Sequence, residues 1–210
     1  MKLIARLAPV LGLLAAAGLL TGCRGSEDSD AKRINGLREQ KNVAALEREV
    51  DAQDAKVSCE AVRALGQLGP QAMPQIEKAM KSPHSEVRRE AAAAYSRTSS
   101  GPAAPVLAVA ARTDPDATVR AVAVTSLGRM RALDEMEALL AAVQDADPMV
   151  RQRASDAIGR IIGQQYDFGD TDAKRRQTVT EVRKFWREQS EILRKYYQTK
   201  PGTPPRAYTP

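Results

Sequence analysis

The chain has 210 residues, of which 43% are hydrophobic, 4% are aromatic and 28% are charged. So few aromatic residues argue against a β-sandwich and favour helices. The formal net charge of +6 is unevenly distributed: residues 23–172 contain 20 bases and 23 acids, whereas residues 173–210 contain ten bases and three acids. The chain therefore combines a nearly neutral body with a basic C-terminal segment.

The first 22 residues have the pattern of a secretory signal peptide. Lys2 and Arg6 form a positive start, and an apolar run of 14 residues follows from Leu7 to Leu20. This run is shorter than the roughly 20 residues that a transmembrane helix needs. We therefore expect residues 1–22 to direct export, and a retained membrane anchor is the less economical alternative.

A short motif follows the apolar run. Leu20-Thr21-Gly22-Cys23 resembles the lipobox of bacterial lipoproteins, in which the cysteine is lipidated and becomes the first residue of the mature protein. The resemblance implies an acylated Cys23 and stable attachment to the bacterial cell envelope, because more than one acyl chain anchors a protein firmly. Arg24 follows the cysteine instead of Asp, and this favours the periplasmic face of the outer membrane. Secretion without a lipid is the alternative.

The residues after the lipobox are polar. The segment 25–30 lacks apolar periodicity, so residues 23–40 are predicted to form a flexible tether between the membrane and the folded part. If Cys23 carries a lipid, Cys59 has no intramolecular disulfide partner. We expect Cys59 to be a small, partly buried thiol, with an intermolecular disulfide as the alternative.

One pattern recurs four times in the body of the chain. It places a valine four residues before a small residue, and the spacings between successive valines are 30, 32 and 31 residues; the valines are Val57, Val87, Val119 and Val150. Each valine begins the apolar face of a predicted helix, here named helix B. An apolar pair about 11 and 7 positions earlier predicts a preceding helix A. A fixed period of this length indicates a repeat architecture.

The repeat resembles the HEAT-like repeats of phycobilin lyases. The resemblance rests on Asp116…Val119-Arg120…Ala123…Leu127-Gly128 and on Asp147-Pro148…Val150-Arg151…Ala154…Ile158-Gly159. The first repeat has Ser58 in place of Arg, and the second has His84 in place of Asp. The chain is thus identified as all-α, an α-solenoid of about four HEAT-like helix pairs over residues 41–163. Tetratricopeptide repeats have a longer period and a different pattern.

The recurring residue types have physical roles in such a stack. The recurrent Asp is predicted to cap helix B, and the recurrent Gly near the end of helix B leaves room for a neighbouring helix. The Arg that follows the valine in three of the repeats is expected to reach an acidic group of an adjacent repeat. An exposed pair of this kind contributes about 0–1 kcal/mol, so a modest structural role is predicted.

The outward face of the B helices is the candidate binding surface. Arg97, Arg129 and Arg160 occupy the same position in three successive repeats, ten residues after the valine. In HEAT proteins the B helices line the concave surface, so the resemblance implies a basic stripe there. With Arg153 and Asp156, these residues are predicted to bind an acidic segment of a protein partner. A solvated charged face is the alternative.

The C-terminal part is predicted to cap the array. Residues 164–199 contain an aromatic loop and an amphipathic helix, in which Phe168, Phe185 and Trp186 would cover the exposed end of the last repeat. Stacking of Trp186 on a ligand is the sharper alternative. Residues 200–210 are rich in proline and are predicted to be disordered.

The sequence offers little for catalysis. His84 is the single histidine, and the sequence shows no zinc-type cysteine pair, phosphate loop or nucleophile elbow. We therefore expect no enzyme activity, no cofactor, no metal and no nucleic-acid partner. The favoured function is an envelope-anchored scaffold or assembly factor that binds an unidentified protein. The alternatives are a lyase-like subunit with a small ligand in its groove, and binding of anionic lipid or polymer by residues 173–210.

Overall fold

A computed structural model describes residues 22–98 and 103–200. These residues form ten α-helices and two 3-10 helices, Pro70–Ala72 and Leu133–Glu135, and no strand occurs among them. The α-helices are α1 (Gly22–Glu39), α2 (Val43–Val50), α3 (Ala55–Leu68), α4 (Met73–Ala79), α5 (Ser85–Thr98), α6 (Ala103–Thr113), α7 (Ala117–Met130), α8 (Met136–Ala142), α9 (Pro148–Ile162) and α10 (Asp172–Thr199).

Helices α2 to α9 form four successive A–B pairs. The A helices are α2, α4, α6 and α8, and the B helices are α3, α5, α7 and α9. Successive B helices pack against one another more extensively than successive A helices do. The B helices therefore form the inner layer of a curved stack, as in α-solenoids. The predicted all-α solenoid with four helix pairs is confirmed.

The recurring apolar residues form one continuous core. Val87, Val119 and Val150 are fully buried, and Val57 is nearly so. The A helix of every repeat also contributes a fully buried large side chain at the equivalent position: Leu46, Ile76, Leu107 and Leu139. No single pair could bury these faces alone, so the repeats are stable only as a stack.

Small residues allow the inner helices to approach closely. A Cβ atom added to Gly66 would lie 2.9 Å from Ala94 Cβ, and one added to Gly128 would lie 2.6 Å from Ala157 Cβ. In the second repeat Ser96 replaces the glycine, and there Ser126 Oγ of α7 donates a 3.0 Å hydrogen bond to the carbonyl of Ala92 in α5. Gly66 and Gly128 therefore leave room at contacts between B helices, as predicted, whereas Gly159 leaves room for the Gln165 side chain of the C-terminal loop.

The predicted tether is wrong for most of its length, because residues 22–39 form helix α1. The helix packs on α3 and α2, and Ile34 is 4% exposed within the core. Arg33 adds ion pairs to Asp30 and Glu49. A polar helix is thus held by tertiary contacts that its own sequence does not reveal.

Helix α10 closes the other end of the stack. Phe168 is 7% exposed, and Phe185 and Trp186 pack against the core, as predicted for a terminal cap. The Tyr166 ring lies 6.5 Å from the rings of both Phe168 and Phe185. These aromatic side chains cover the apolar face that a fifth repeat would otherwise bury.

Ion pairs attach α10 to the fourth repeat. Arg183 contacts Glu137 at 2.8 Å, and Arg194 contacts Asp134 at 2.7 Å. Near its end, the Tyr197 hydroxyl donates a 2.9 Å hydrogen bond to the carbonyl of Ile161. Part of the basic charge predicted for possible lipid or polymer binding therefore serves to hold α10 in place.

Several predictions concern residues outside the described ranges. The signal peptide over 1–22 lies there except for Gly22, as does the predicted disordered tail except for Lys200. The backbone of Cys23 belongs to α1, but its side chain is not described. Among the described helices, none is long and apolar enough to cross a membrane.

Candidate protein-binding face

The turn before each B helix fixes the position of the helix face. Asp54, Asp116 and Asp147 accept hydrogen bonds from backbone N–H groups of the first turn, at 2.7 to 2.8 Å. They are therefore the predicted N-caps. The pKa of Asp116 is lowered to about 2, first by hydrogen bonds from the Thr118 hydroxyl and backbone N–H.

The arginines beside the second and third valines each connect the turns of two repeats. Arg88 Nε and Nη2 donate to Asp114 at 2.8 and 3.0 Å, and Arg120 Nε and Nη2 donate to Asp145 at 2.8 and 2.9 Å. In both arginines Nη1 donates to two carbonyls of its own preceding turn. We name Arg88–Asp114 and Arg120–Asp145 the junction pairs.

The junction pairs were predicted, but their exposure was not. The Arg88 and Asp114 side chains are 13% and 7% exposed, and those of Arg120 and Asp145 are 15% and 12% exposed. The sequence predicts exposed pairs that contribute a small stabilising energy. That prediction is wrong, because both pairs are largely buried. Removing one partner of a buried, bidentate pair strands the other charge, so each pair is a strong constraint on repeat geometry.

The junction pairs are confined to the middle of the stack. At the first junction Ser58 replaces the arginine and Ser82 replaces the acid, and Ser82 Oγ keeps the turn hydrogen bond from the His84 N–H at 3.3 Å. At the last junction Arg151 keeps its two bonds to the turn carbonyls, and Gly169 occupies the turn position that Asp114 and Asp145 hold in the preceding repeats, since Arg175 binds its carbonyl as Arg120 binds that of Asp114. Arg151 accordingly forms no ion pair with the residues that the structure describes.

The predicted binding residues lie on the outward face of the inner layer. Arg97, Arg129, Arg153 and Arg160 are exposed, and Asp156 is half-buried. Three of them, together with Thr125 of the neighbouring helix, line a shallow cleft between α7 and α9: Arg153, Asp156 and Arg160. The structure thus brings four of the five predicted residues onto α7 and α9, and it places Arg97 one helix away on α5.

The N-terminal half of this face is partly neutralised. Arg97 Nη2 lies 3.1 Å from Glu90 Oε1, and Arg63 Nη2 lies 3.3 Å from Glu90 Oε2. By contrast, Arg129, Arg153 and Arg160 form no ion pair with any described residue. Asp156 instead accepts a 3.0 Å hydrogen bond from Gln152. The positive potential available to a partner is therefore strongest over α7 and α9.

Helix α1 adds an arginine that the sequence analysis missed. Arg38 Nη1 donates a 2.6 Å hydrogen bond to Gln67 Oε1. Gln67 lies ten residues after Val57, which is the position that arginines occupy in the next three repeats. We name Arg38, Gln67, Arg97, Arg129 and Arg160 the inner row: it runs across five adjacent helices and contains four guanidinium groups. The sequence did not reveal Arg38 because its segment has no repeat pattern.

The described residues show no grouping typical of a catalytic metal site. No cluster of three or more His, Cys, Asp or Glu side chains occurs among them. His84 lies at a turn and donates its backbone N–H to Ser82. Cys59 is half-buried and forms no disulfide with the residues that the structure describes, and burial, followed by the nearby Glu90 and Glu86, raises the pKa of its thiol.

These features define a class of protein: an α-solenoid with an exposed, charged inner face. The family model for HEAT repeats matches residues 43–128 and 104–182. The protein belongs to the HEAT-repeat family. No curated protein matches the chain.

Several solved structures resemble the chain at low sequence identity. One is a chain from the complex of CpcE and CpcF of phycocyanin lyase from Nostoc sp. PCC7120, with 21% identity and a TM-score of 0.50, covering 72% of this chain and 97% of that one. A designed armadillo repeat protein has 18% identity and a TM-score of 0.48, covering 81% of this chain and 80% of that one. Another, in complex with the peptide (KR)4, has 15% identity and a TM-score of 0.48, covering 89% of each chain. Similarity at this level concerns the fold alone.

Proposed function

We propose that this HEAT-repeat protein is an envelope-anchored scaffold or assembly factor, and that its inner face binds an acidic segment of a protein partner. The observation that carries the proposal is the set of exposed arginines on α7 and α9 that form no ion pair with described residues. An exposed cationic face attracts acidic partners and accelerates their association. The cleft between α7 and α9 is shallow and lined mainly by charged and polar side chains, which suits contact with a protein segment.

The contribution of individual residues follows from the geometry. Arg153 and Arg160 line the cleft together with Thr125 and Asp156, and Arg129 is exposed four residues after Thr125 on α7. A guanidinium group binds a carboxylate through two parallel hydrogen bonds, so each arginine could engage one acidic side chain. Asp156 would exclude carboxylates from one position and thereby favour a particular arrangement of acids.

Site-specific crosslinking in intact cells tests this proposal. A photo-crosslinking amino acid at Thr125 is expected to capture a partner, and the same group at Val109 is the matched control, because Val109 is 52% exposed on an A helix. The double change Arg129→Glu and Arg160→Glu should abolish the Thr125 adduct. Equal capture from both positions, or an adduct that survives the double change, would contradict the assignment of this face.

The proposed anchor is the acylated Cys23. It rests on the lipobox-like sequence and on the apolar run before it, since a lipid-anchored protein needs no membrane-spanning helix. The periplasmic side of the outer membrane is the proposed location. At that location the inner face would be accessible to proteins that assemble at the membrane, as the proposed scaffold function requires.

Metabolic labelling with an alkyne fatty acid tests the anchor. The protein and a Cys59→Ala variant should both be labelled and should both sediment with membranes. A Cys23→Ala variant should lose the label and leave the membrane fraction. Labelling that persists without Cys23, or that depends on Cys59, would refute this part of the proposal.

A further inference from the structure

The inner row places one polar side chain on each of five adjacent helices. Four of these side chains are arginines, and the fifth, Gln67, is bonded to Arg38. We propose that the inner row binds an acidic segment in the polyproline II conformation, with carboxylates at intervals of three residues. This inference rests on the proposed function and specifies its partner.

The spacing of the inner helices sets the spacing of the row. Packed helices lie about 8–10 Å apart, depending on the side chains at the contact. Where Gly66 faces Ala94 and Gly128 faces Ala157, an added Cβ atom would approach its neighbour within 2.9 and 2.6 Å. Helices that meet through glycine and alanine have axis-to-axis distances at the short end of this range of about 8–10 Å. At these two contacts, α3–α5 and α7–α9, the positions of the row are therefore about 8–9 Å apart, and the general range of about 8–10 Å applies to the others.

Three regular conformations can be compared with this repeat. A β-strand returns to the same face every two residues, or about 6.7 Å. An α-helix returns after seven residues, or about 10.5 Å. Polyproline II returns after three residues, or about 9.3 Å. The polyproline II repeat lies nearest to the spacing of the inner helices. A segment in this conformation presents every third side chain to the same surface.

The row also predicts an uneven acidic pattern. Arg97, Arg129 and Arg160 lie on adjacent helices and would take three acids spaced by three residues. Arg38 lies two helices before Arg97, with the neutral Gln67 between them. A segment of thirteen residues would thus have acids at positions 1, 7, 10 and 13, and a neutral hydrogen-bonding residue at position 4.

Glu90 reinforces this pattern. It is 18% exposed and already accepts from Arg97 and Arg63, at 3.1 and 3.3 Å. A continuous run of acids would bring a carboxylate beside Glu90, where like charges repel. If acids occur only at every third residue, one of them binds Arg97 and the residues on either side of it are neutral, so no second carboxylate lies beside Glu90. The surface therefore selects the spacing of the acids as well as their number.

Fluorescence anisotropy with synthetic peptides provides the test, using the full chain in mild detergent at 0.15 M ionic strength, where the Debye length is about 8 Å. The spaced peptide has thirteen residues: Asp at positions 1, 7, 10 and 13, Ser at position 4, and Pro elsewhere. The clustered peptide has the same composition with its four Asp residues adjacent. The spaced peptide is expected to bind about tenfold more tightly, which corresponds to one additional charge-assisted hydrogen bond.

Two variants locate the binding site. Arg129→Gln should weaken binding of the spaced peptide about tenfold, because one guanidinium–carboxylate pair is lost. Arg112→Gln should leave it unchanged, because Arg112 is exposed on the A helix α6, outside the inner layer. Equal weakening by both variants would show general charge attraction and would overturn the inferred site.

The outcomes separate this inference from the proposed function. Equal binding of the spaced and clustered peptides, still sensitive to Arg129→Gln, would overturn the spacing and leave the acidic-partner proposal intact. Binding of neither peptide would overturn both. Tighter binding of a helical peptide with acids every seven residues would overturn the polyproline II conformation while retaining the face.

Discussion

Arg120 and Asp145 belong to different repeats, 25 positions apart, and meet through two hydrogen bonds of 2.8 and 2.9 Å. Their side chains are 15% and 12% exposed. The third guanidinium nitrogen of Arg120 binds the carbonyls of Asp114 and Pro115 in its own turn. One side chain thus fixes a turn and the neighbouring repeat together.

Removing this arginine should destabilise the array strongly. Arg120→Gln leaves Asp145 largely buried without its cation, and we expect the free energy of unfolding to fall by about 3 kcal/mol. Arg151→Gln should cost less, about 1–2 kcal/mol, because only hydrogen bonds to carbonyls are lost and no carboxylate is stranded. Urea denaturation of both variants measures the difference. Equal losses would show that the carboxylate contributes nothing specific.

Asp145 and the helix cap Asp116 should make the free energy of unfolding depend on pH in the acid range. Burial opposes ionisation of Asp145, but hydrogen bonds from Arg120 and from the Asp147 N–H outweigh it and lower its pKa. Hydrogen bonds lower the pKa of Asp116 to about 2 from an ordinary value of 3.8. A lowered folded-state pKa contributes stability above the unfolded value, and this stability is lost as the pH falls through the folded value.

The unfolding free energy should therefore decrease between about pH 4 and pH 2. Asp116→Asn and Asp145→Asn should each be less stable at pH 6, and each should show a shallower decline on acidification. Chemical denaturation as a function of pH gives these slopes. A decline as steep in both variants as in the parent protein would assign the acid sensitivity to other groups.

The close contact at Gly128 should not tolerate a methyl group. Gly128→Ala places a Cβ atom 2.6 Å from Ala157 Cβ and should destabilise the protein by about 1–3 kcal/mol. Gly36→Ala is the matched control, because nothing lies within 4 Å of its Cβ position and alanine favours a helix by about 0.5–1 kcal/mol. Thermal unfolding should show opposite shifts, and Ala157→Gly should partly rescue Gly128→Ala.

The thiol of Cys59 should react slowly. Burial, then Glu90 and Glu86, raise the pKa of the thiol, so less thiolate is present at pH 8 than in an unfolded chain. Alkylation by iodoacetamide should therefore be slower in the folded protein than in urea. Glu90→Gln removes one of the two charges and should increase the folded-state rate. A folded rate that matches the unfolded one would mean that Cys59 is accessible.

The features that sequence reasoning captured are local or repeat once in every period. A cap such as Asp116 acts two residues along the chain, and the valines recur at a nearly constant interval. The junction pairs were also predictable, because the arginine and the acid recur with the same period and lie at adjoining turns. These signals fix the helix pairs and their order.

The missed features depend on contacts between distant segments. Helix α1 has almost no apolar period, and its helical state depends on Ile34 and on Arg33 meeting the first repeat. The neutralisation of Arg97 depends on Glu90, which lies two turns earlier on the same helix and also binds Arg63. Exposure of the junction pairs likewise depends on how tightly neighbouring turns pack, which composition does not reveal.

Because serines replace the junction pair between the first and second repeats, the interfaces of the array differ in strength. Repeat arrays open between neighbours according to the strength of each interface. Ser58 and Ser82 supply no buried ionic clamp. The ion pairs that do cross this junction, such as Arg63–Glu90 and Lys78–Asp51, each include a side chain at least half exposed and therefore contribute little to stability. The unit formed by α1 to α3 should consequently open more readily than the middle repeats. Arg38 lies on that loose unit, and Arg97 lies beyond the joint. A ligand that bound both arginines would stabilise the closed interface between the first and second repeats by mass action. Occupancy of the inner face would then be coupled to the rigidity of the whole stack.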